Sequence, residues 1–471
     1  MTKSVRTRFA PSPTGFLHVG GVRTALFAWL LARQNNGQFI LRLEDTDQKR
    51  EVVGADKHIV SSLTALGLDI DEGPIKQSER LEIYKVWAQK LIESGRAYAD
   101  DTPPEEIQRF RDQDQRDKKP FLYRNHVEKK TRDNRNWDGK TPLRFRSEPK
   151  AYNWQDAVMG ELTSGPEVID DFVLVKSDGF PTYNFAHIVD DAEMNISHVI
   201  RGQEFLASVP NYLNLYEALA LKPPALATMP HILNEHGNKK LSKRDGAKDV
   251  LDYVRDGFLP EALVSFIATL GWNDGTEQEV FSLNELIEKF SLDRIGRSGA
   301  HFDEQRLKWV NGEFIRKLPL GELFQRAEDF WPKTASKSDN EYKKQVLGLV
   351  QERLKFLSEL PELTAFFFED LAVDSNLITS HKQLKKLSTE ELKGLLKQAS
   401  QALEQSDFTV DDLQARLNKL LEKTGQKPAV LFSLIRIATT QAPASPGLAE
   451  TMQVLGKETI LHRIEEQIKA L

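Results

Sequence analysis

The segment SVRTRFAPSPTGFLHVGG, residues 4–21, decides the fold of the N-terminal part of the chain. Its first seven residues alternate as a strand does and run into the turn residues Pro11–Gly15. Apolar residues at 22, 25, 26, 29 and 30 then recur at helical spacing up to Asn36-Gly37. A turn between a strand and a helix exposes backbone N–H groups and the positive end of the helix dipole, where an anion can dock.

Further alternation of strand and helix patterns follows this segment. The apolar run QFILRL at 38–43 predicts a buried strand, and helical patterns cover about 54–66 and 78–94. This order predicts a parallel sheet with right-handed crossovers. Strand and turn signals also run through 170–191, and HVI at 198–200 predicts a strand that delivers Arg201.

Composition limits the class of protein. The 471 residues carry a net charge of -6, 40% are hydrophobic and none is cysteine. The missing cysteines exclude disulfides, thiolate zinc sites, iron–sulfur clusters and a cysteine nucleophile. The sequence contains no run of 18 apolar residues, so it predicts no membrane span. Its N-terminus lacks the apolar stretch of a secretory signal. We therefore expect a cytoplasmic protein, without bulk affinity for DNA.

Two parts of the sequence differ in character from the rest. Residues 118–150 hold 11 Lys and Arg against 4 Asp and Glu, interleaved with Phe121, Tyr123, Trp137 and Phe145. This stretch is either a solvated insertion or a nucleic-acid-facing one, in which cations neutralise phosphates and aromatic rings take bases. After about residue 320, helical periodicity predicts an all-helical region.

A second motif, KKLSKRDG, occupies residues 239–246. Its cations, small hydroxyl and glycine suit a loop that closes over a polyphosphate. Alone, it is equally a basic surface loop, just as His18 beside two glycines is alone an ordinary turn.

Together the two motifs resemble the signatures of class I aminoacyl-tRNA synthetases, H-I-G-H and K-M-S-K-S. Gly21 replaces the second histidine and Arg244 the last serine, and both departures are similar to the glutamyl branch. Other matches are RLEDTD at 42–47, GP at 73–74, QSER at 77–80, DGFPTYN at 178–184, VIRG at 199–202 and GFLPEA at 257–262. The chain resembles bacterial-type glutamyl-tRNA synthetases over essentially its full length, most closely through residue 315.

The resemblance implies a fold and a division into domains. A doubly wound, Rossmann-type parallel-sheet α/β catalytic domain would cover 1–98 and 186–245, split by an α+β acceptor-stem-binding insertion at 99–185. A connective stem-contact domain at 246–318 and an all-helical anticodon-binding region at 319–471 would follow. Glutaminyl enzymes carry β-barrel anticodon modules instead, so the helical tail favours the glutamyl branch.

The activity implied is ATP-dependent ligation of L-glutamate to tRNA(Glu), through a glutamyl-adenylate. Two alternatives are a glutaminyl-specific or other nucleotidyl-transferring relative and a tRNA-binding protein that has lost catalysis. Mg²⁺ would arrive with ATP, and the family usually works as a monomer. Some members carry a cysteine-rich zinc site in the insertion; this chain has no cysteine, so we expect no zinc and no metal ligands. The pairs Asp100-Asp101, Asp170-Asp171 and Asp190-Asp191 are as readily caps and turns as metal ligands.

The resemblance also implies which residues bind glutamate. Arg8 would pair with the side-chain carboxylate, since a guanidinium matches two carboxylate oxygens. Ser12 and Glu44 would hold the backbone carboxylate side and the α-ammonium, with Tyr183 and Arg201 as further contacts. A packed sheet tyrosine is the alternative for Tyr183.

For the activation step, the resemblance implies His18 and Lys243 as the catalytic pair. The ATP-binding set would comprise His18, Gly20, Glu204, Lys240, Ser242 and Lys243. Arg353 would contact the last anticodon base, although it is equally an exposed helix arginine.

Overall fold

The computed structural model of the protein describes residues 4–241 and 248–471. The chain divides into a catalytic unit, Met1–Arg255 with Pro260–Leu307, and a helical unit, Asp256–Leu259 with Lys308–Leu471. The described strands all belong to the catalytic unit: β1 (Arg6–Phe9), β2 (Gln38–Leu43), β3 (Glu72–Lys76), β4 (Ala97–Ala99), β5 (Leu143–Phe145), β6 (Tyr152–Asp156), β7 (Gly160–Ser164), β8 (Val173–Val175), β9 (His198–Gly202), β10 (Ala225–Met229), β11 (Ile232–Leu233) and β12 (Ala300–His301).

The α-helices of the catalytic unit vary from one turn to more than four. They are α1 (Val19–Gln34), α2 (Ala55–Ala65), α3 (Leu81–Glu93), α4 (Pro104–Arg116), α5 (Lys129–Arg132), α6 (Tyr183–Glu193), α7 (Val209–Ala218), α8 (Val250–Arg255), α9 (Pro260–Ala268) and α10 (Leu283–Lys289). The next helix, α11 (Glu304–Lys317), contains residues of both units.

Two parallel ladders confirm the predicted Rossmann-type sheet. One runs in the order β1-β2-β3, and the other places β10 between β9 and β6 with β7 antiparallel at the edge. The ladders meet beside β1, where Ser197 N–H donates to the Arg6 carbonyl at 2.9 Å. Strand order therefore reverses between β1 and β9, and in open parallel sheets ligands bind in the crevice at such a point.

Two predicted elements differ from the structure. The first helix begins at Val19 rather than Val22, because His18 caps it. The strand signals through 170–191 were wrong in their second half, where α6 forms. Pro181 ends the strand pattern, and buried residues at 185, 186, 188 and 189 then follow helical spacing. Tyr183 is therefore the first residue of a helix rather than a sheet tyrosine.

The inserted part of the catalytic unit is built around a separate sheet. Its strands β4, β5 and β8 pair antiparallel in that order, and α4 and α5 lie between β4 and β5 in the sequence. This mixture of antiparallel strands and helices is the α+β architecture that the resemblance implied.

All regular structure described in the helical unit beyond α11 is helical, as the tail periodicity predicted. Its α-helices are α12 (Leu320–Arg326), α13 (Asn340–Val350), α14 (Leu360–Phe368), α15 (Asn376–Thr379), α16 (Thr389–Glu404), α17 (Val410–Thr424), α18 (Pro428–Thr440), α19 (Leu448–Leu455) and α20 (Lys457–Ala470). Leucine and isoleucine dominate their shared core. Among the described residues, no helix is long and apolar enough to cross a membrane.

Candidate active site

A cavity of about 1230 Å³ opens beside the ends of β1 and β9. Its wall combines the end of β1, the Pro11–Gly15 turn, the start of α1, the end of β2, the start of α6 and the end of β9. Nine predicted site residues line it: Arg8, Ser12, His18, Gly20, Glu44, Tyr183, Arg201, Glu204 and Lys240. The structure thus brings together residues as far apart in the sequence as Arg8 and Lys240. The predictions for Ser242 and Lys243 fall outside the described residues.

Arg8 lies in the floor of this cavity and is held on two sides. The side chain is 4% exposed; its Nε lies 3.2 Å from Asp191 Oδ1, and Nη1 donates to the Ile200 carbonyl at 3.3 Å. Burial opposes ionisation of Asp191, yet Arg8 and Arg42 lower the pKa of Asp191 to about 2. The aspartate is therefore a fixed negative partner that orients the Arg8 guanidinium toward the cavity.

Arg42 and Glu44, two residues apart on and after β2, form the next layer. Arg42 is fully buried and donates from Nη1 to Asp191 at 2.8 Å and from Nη2 to Glu44 Oε1 at 3.0 Å. Burial raises the pKa of the Glu44 carboxyl to about 7, although Arg42 and Arg8 act to lower it. A carboxyl whose pKa lies near 7 loses its proton readily when a cation binds beside it.

Aromatic rings support the opposite wall of the cavity. Tyr183 stacks between His187, at 4.7 Å between centroids, and Phe205, at 5.1 Å. His187 Nδ1 lies 2.7 Å from the Tyr183 carbonyl, and burial lowers the pKa of His187 to about 3, so the ring is neutral. Arg201, 6% exposed, places its guanidinium 5.0 Å from the centre of the Tyr212 ring, an arrangement that fixes a buried cation.

His18 forms the N-terminal cap of α1 as well as part of the cavity. Its Nδ1 accepts the Gly20 N–H at 3.0 Å, so a neutral ring carries its proton on Nε2. A Cβ atom on Gly20 would lie 2.9 Å from His18 Cε1. Glycine at position 20 is therefore what lets the imidazole fold over the first turn, beside the positive end of the helix dipole.

The remaining cavity residues form a small polar group at the rim. Lys240 Nζ lies 3.4 Å from Glu204 Oε1, and His231 Nδ1 lies 3.8 Å from the other Glu204 oxygen. All three side chains are partly exposed. The ion pair between Glu204 and Lys240 can therefore break, and each side chain can contact a ligand instead, at a small cost in free energy.

Arg353 lies in the helical unit, on a 3-10 helix that follows α13. The side chain is exposed and its Nη1 donates to the Ser445 carbonyl, while Arg436 Nε donates to the Ser445 hydroxyl at 2.9 Å. Burial, together with the charge of Arg353, lowers the pKa of Arg436. Two arginines thus converge on one loop.

Several residues of the site escaped the sequence analysis. Arg42, Asp191 and His187 are the most consequential, and only Arg42 carried a signal, a cation inside the apolar run of β2. The interpretation of the aspartate pairs as caps, turns or metal ligands was wrong for Asp190 and Asp191, which are buried partners of arginine within α6. No group of three or more metal-ligating side chains occurs in the described stretches of the chain.

Only some of the basic side chains in the insertion are free of ion pairs within the described structure and could contact a nucleic acid. Arg132 and Arg144 are ion-paired with Asp171 and Asp100. Among its aromatic residues, Tyr123 is buried and Phe121 stacks on His126. The insertion's exposed cations include Lys118, Lys119, Lys129, Lys130, Arg135 and Lys140. Part of the positive charge is therefore structural, and part faces solvent.

Comparison with known proteins places this site in a family. Residues 4–309 match the family model described as tRNA synthetases class I (E and Q), catalytic domain, and residues 322–468 match the anticodon binding domain. The chain belongs to the class I tRNA synthetases of the glutamate and glutamine group.

Its relatives narrow the comparison further. A protein of Caldanaerobacter subterraneus subsp. tengcongensis named glutamate–tRNA ligase 1 is 38% identical, over 100% of this chain and 98% of its own. A Dehalococcoides mccartyi glutamate–tRNA ligase is 40% identical over the same shares. A crystal structure of a glutamate tRNA ligase from Elizabethkingia meningosepticum, in complex with its amino acid, has a TM-score of 0.86 at 30% identity and covers 100% of both chains.

Proposed function

We propose that the protein is a glutamate–tRNA ligase that uses ATP to attach L-glutamate to tRNA(Glu). The observation that carries the proposal is the pairing, in one cavity, of two buried arginines with an anion-binding turn. The full-length relatives named glutamate–tRNA ligase support it. The reaction would proceed in two steps, through a glutamyl-adenylate and then transfer to the acceptor end.

Selection of glutamate follows from the donors in the cavity floor. Arg8 would receive the side-chain carboxylate and Arg201 a further carboxylate oxygen, while Glu44 and Ser12 would hold the backbone end. A guanidinium offers only donors, so the NH₂ group of glutamine would face another donor and stay unsatisfied. Such a mismatch typically costs about 1–3 kcal/mol, which favours glutamate over glutamine.

Activation requires in-line attack of the glutamate carboxylate on the α-phosphorus of ATP. The carboxylate oxygen forms the new bond and pyrophosphate leaves with the electron pair of the broken one. The protein supplies positioning and positive charge. His18 Nε2–H, the α1 N-terminus with Gly20, and Lys240 would face the phosphates. Lys243 would follow the charge that builds on pyrophosphate.

The remaining ATP contacts are secondary ones. Ser242 would add a hydroxyl donor, and Glu204 would contact ATP after releasing Lys240. Mg²⁺ would screen the phosphate charge, held mainly by phosphate and water. We propose no zinc, because the chain has no cysteine.

Contacts with tRNA would use separate parts of the chain. The catalytic domain (1–98 and 186–245) would be split by the acceptor-stem-binding insertion at 99–185, whose exposed lysines suit phosphates. The domain at 246–318 would contact the stem, and 319–471 the anticodon. There, Arg353 beside Arg436 would meet the last base. We propose a cytoplasmic monomer that acts without membrane or DNA.

Glutamate-dependent exchange between pyrophosphate and ATP tests the activation step. The assay is run with and without bacterial glutamate tRNA, on the wild type, on Lys243→Ala and on a control variant, Lys222→Ala, whose side chain is exposed and lies outside the cavity lining. We expect exchange in the presence of tRNA, a sharp reduction in Lys243→Ala and no change in Lys222→Ala.

Other outcomes would redirect the assignment. Exchange with glutamine in place of glutamate would indicate the glutaminyl specificity that the family model also includes. Folded protein that binds tRNA but supports no exchange with either amino acid would indicate a binding protein without catalysis. Equal activity of Lys243→Ala and wild type would remove Lys243 from the mechanism.

A further inference from the structure

His58, on α2, joins the first signature motif to the chain just after the second, although neither motif contains it. Its ring stacks on Phe16, with centroids 4.6 Å apart and planes at 24°. Nδ1 lies 3.4 Å from Leu17 N, and Nε2 lies 2.6 Å from Asp249 Oδ2. The His58 and Asp249 side chains are 11% and 12% exposed, so the contact is largely shielded from water.

Asp249 is equally constrained on its own side. Its second oxygen, Oδ1, accepts the Leu251 N–H at 3.0 Å at the start of α8. Its backbone pairs antiparallel with that of His18, and Val250 N–H donates to the Leu17 carbonyl at 3.0 Å. The chain that follows the second motif is therefore fixed directly against the histidine of the first.

The chain that precedes Ser242 is fixed as well. Leu241 N–H donates to the Ile232 carbonyl at 2.8 Å, and Lys240 forms a β-bridge with Leu233. The first residues of the second motif are thus bonded to β11, and the chain just after the motif is bonded to the His18 turn.

The hydrogen-bond pattern also defines the protonation of the His58 ring. Nδ1 accepts the Leu17 backbone N–H at 3.4 Å, whereas the Ser62 hydroxyl, 3.3 Å from Nδ1, donates its proton to the His58 carbonyl at 2.7 Å. The proton then lies on Nε2 and is donated to the Asp249 carboxylate, a charge-assisted bond.

We propose that His58 is a positioning residue for ATP activation. Acting through Asp249 and through the turn before His18, it sets the spacing between the two motifs that would meet the phosphates. His58 itself lies outside the cavity lining and touches no substrate. This assignment rests on the proposed function, since it concerns how the same site holds ATP.

The test compares His58→Ala, His58→Gln and Asp249→Asn in the exchange assay, varying ATP and glutamate separately. Loss of a charge-assisted bond should lower kcat/KM for ATP by about tenfold in His58→Ala, with KM for glutamate changed less than about twofold. Glutamine can place an N–H near the position of Nε2, so His58→Gln should recover part of the loss. The double variant His58→Ala/Asp249→Asn should be no worse than the poorer single variant, because both remove one contact.

Asp252→Asn serves as the matched control, because this aspartate lies on α8 near Asp249 and, among the residues that the structure describes, forms its ion pair with exposed Arg255. It should leave both kinetic constants unchanged, and thermal melting checks that every variant is folded. Equal losses toward ATP and glutamate, or additive losses in the double variant, would overturn the positioning role. An active wild type with an unimpaired His58→Ala would overturn it while leaving the proposed function intact. An inactive wild type would overturn both.

Discussion

The catalytic unit contains two buried clusters of arginine and aspartate, one against the cavity and one inside the insertion. The cavity cluster comprises Arg8, Arg42, Glu44, Asp190 and Asp191. Within the described residues, Arg42 Nε and Asp191 Oδ2 have no hydrogen-bond partner although both are buried. Burial also raises the pKa of Glu44 to about 7. This cluster therefore retains unsatisfied hydrogen-bonding atoms and a readily protonated carboxyl next to the substrate cavity.

The insertion cluster comprises Tyr98, Asp100, Arg132, Arg144 and Asp171. Asp171 accepts from Tyr98 OH at 3.0 Å, from Arg132 Nε at 2.8 Å and from the Ser147 hydroxyl at 2.6 Å. The Arg144 guanidinium also lies over the Tyr123 ring at 3.7 Å. These residues lie outside the cavity lining, so their charges neutralise one another and stabilise the fold of the insertion. The same residue types can thus hold a ligand site or a fold, depending on what remains unpaired.

The largest expected difference between the clusters is in glutamate binding. Arg8→Met removes a cation that would bind substrate and leaves Asp191 with one fewer partner. We expect kcat/KM for glutamate to fall roughly a hundredfold or more, by analogy with breaking a buried ion pair. Arg144→Met, the matched change in the insertion cluster, should lower the melting temperature without changing KM for glutamate. Equal losses of kcat/KM in the two variants would contradict the distinction between a ligand-binding cluster and a structural cluster.

Acid stability tests the aspartate of the cavity cluster. The folded-state pKa of Asp191, about 2, lies below its ordinary value of 3.8. Its ionised form therefore stabilises the fold above about pH 4, and this stabilisation is lost as the pH falls toward 2. The contribution is about 2 kcal/mol. Urea unfolding of wild type and Asp191→Asn between those pH values should show the difference between the two proteins shrinking as pH falls. A difference independent of pH would contradict the assignment.

A pH profile of glutamate use tests Glu44. Its raised pKa means that the carboxyl becomes protonated as the pH falls through about 7, and a neutral carboxyl cannot balance the α-ammonium. We expect kcat/KM for glutamate to fall about tenfold per pH unit below that point. Glu44→Gln should be less active at high pH and flat over the same range. A wild-type profile without a bend near pH 7 would contradict this role.

The comparison also explains what the sequence could and could not predict. Local patterns predicted β1, β2 and β9, the helices of the tail and the turn before α1, because hydrophobic periodicity and turn residues act over short distances. The resemblance to a known family predicted nine residues that line the cavity. Asp191 and His187 were missed because their role depends on burial against Arg8, Arg42 and Tyr183. An aspartate within a helix carries no mark of a partner that lies 149 residues away, as Arg42 does.

The smallest expected effect comes from a matched pair of tyrosines. Tyr84 OH donates to Asp190 Oδ2 at 2.8 Å in the cavity cluster, and Tyr98 OH donates to Asp171 Oδ2 at 3.0 Å in the insertion cluster. Both side chains are fully buried. Each Tyr→Phe change removes one hydroxyl bonded to a charged oxygen and should cost about 1.5 kcal/mol of unfolding free energy. Tyr84→Phe should in addition raise KM for glutamate about twofold. Asp190 lies against Arg42, so the loss of the Tyr84 hydrogen bond should affect the glutamate site only in part. Tyr98→Phe should leave that KM unchanged, so a kinetic effect of Tyr98→Phe equal to that of Tyr84→Phe would show that the two clusters are energetically coupled rather than separate.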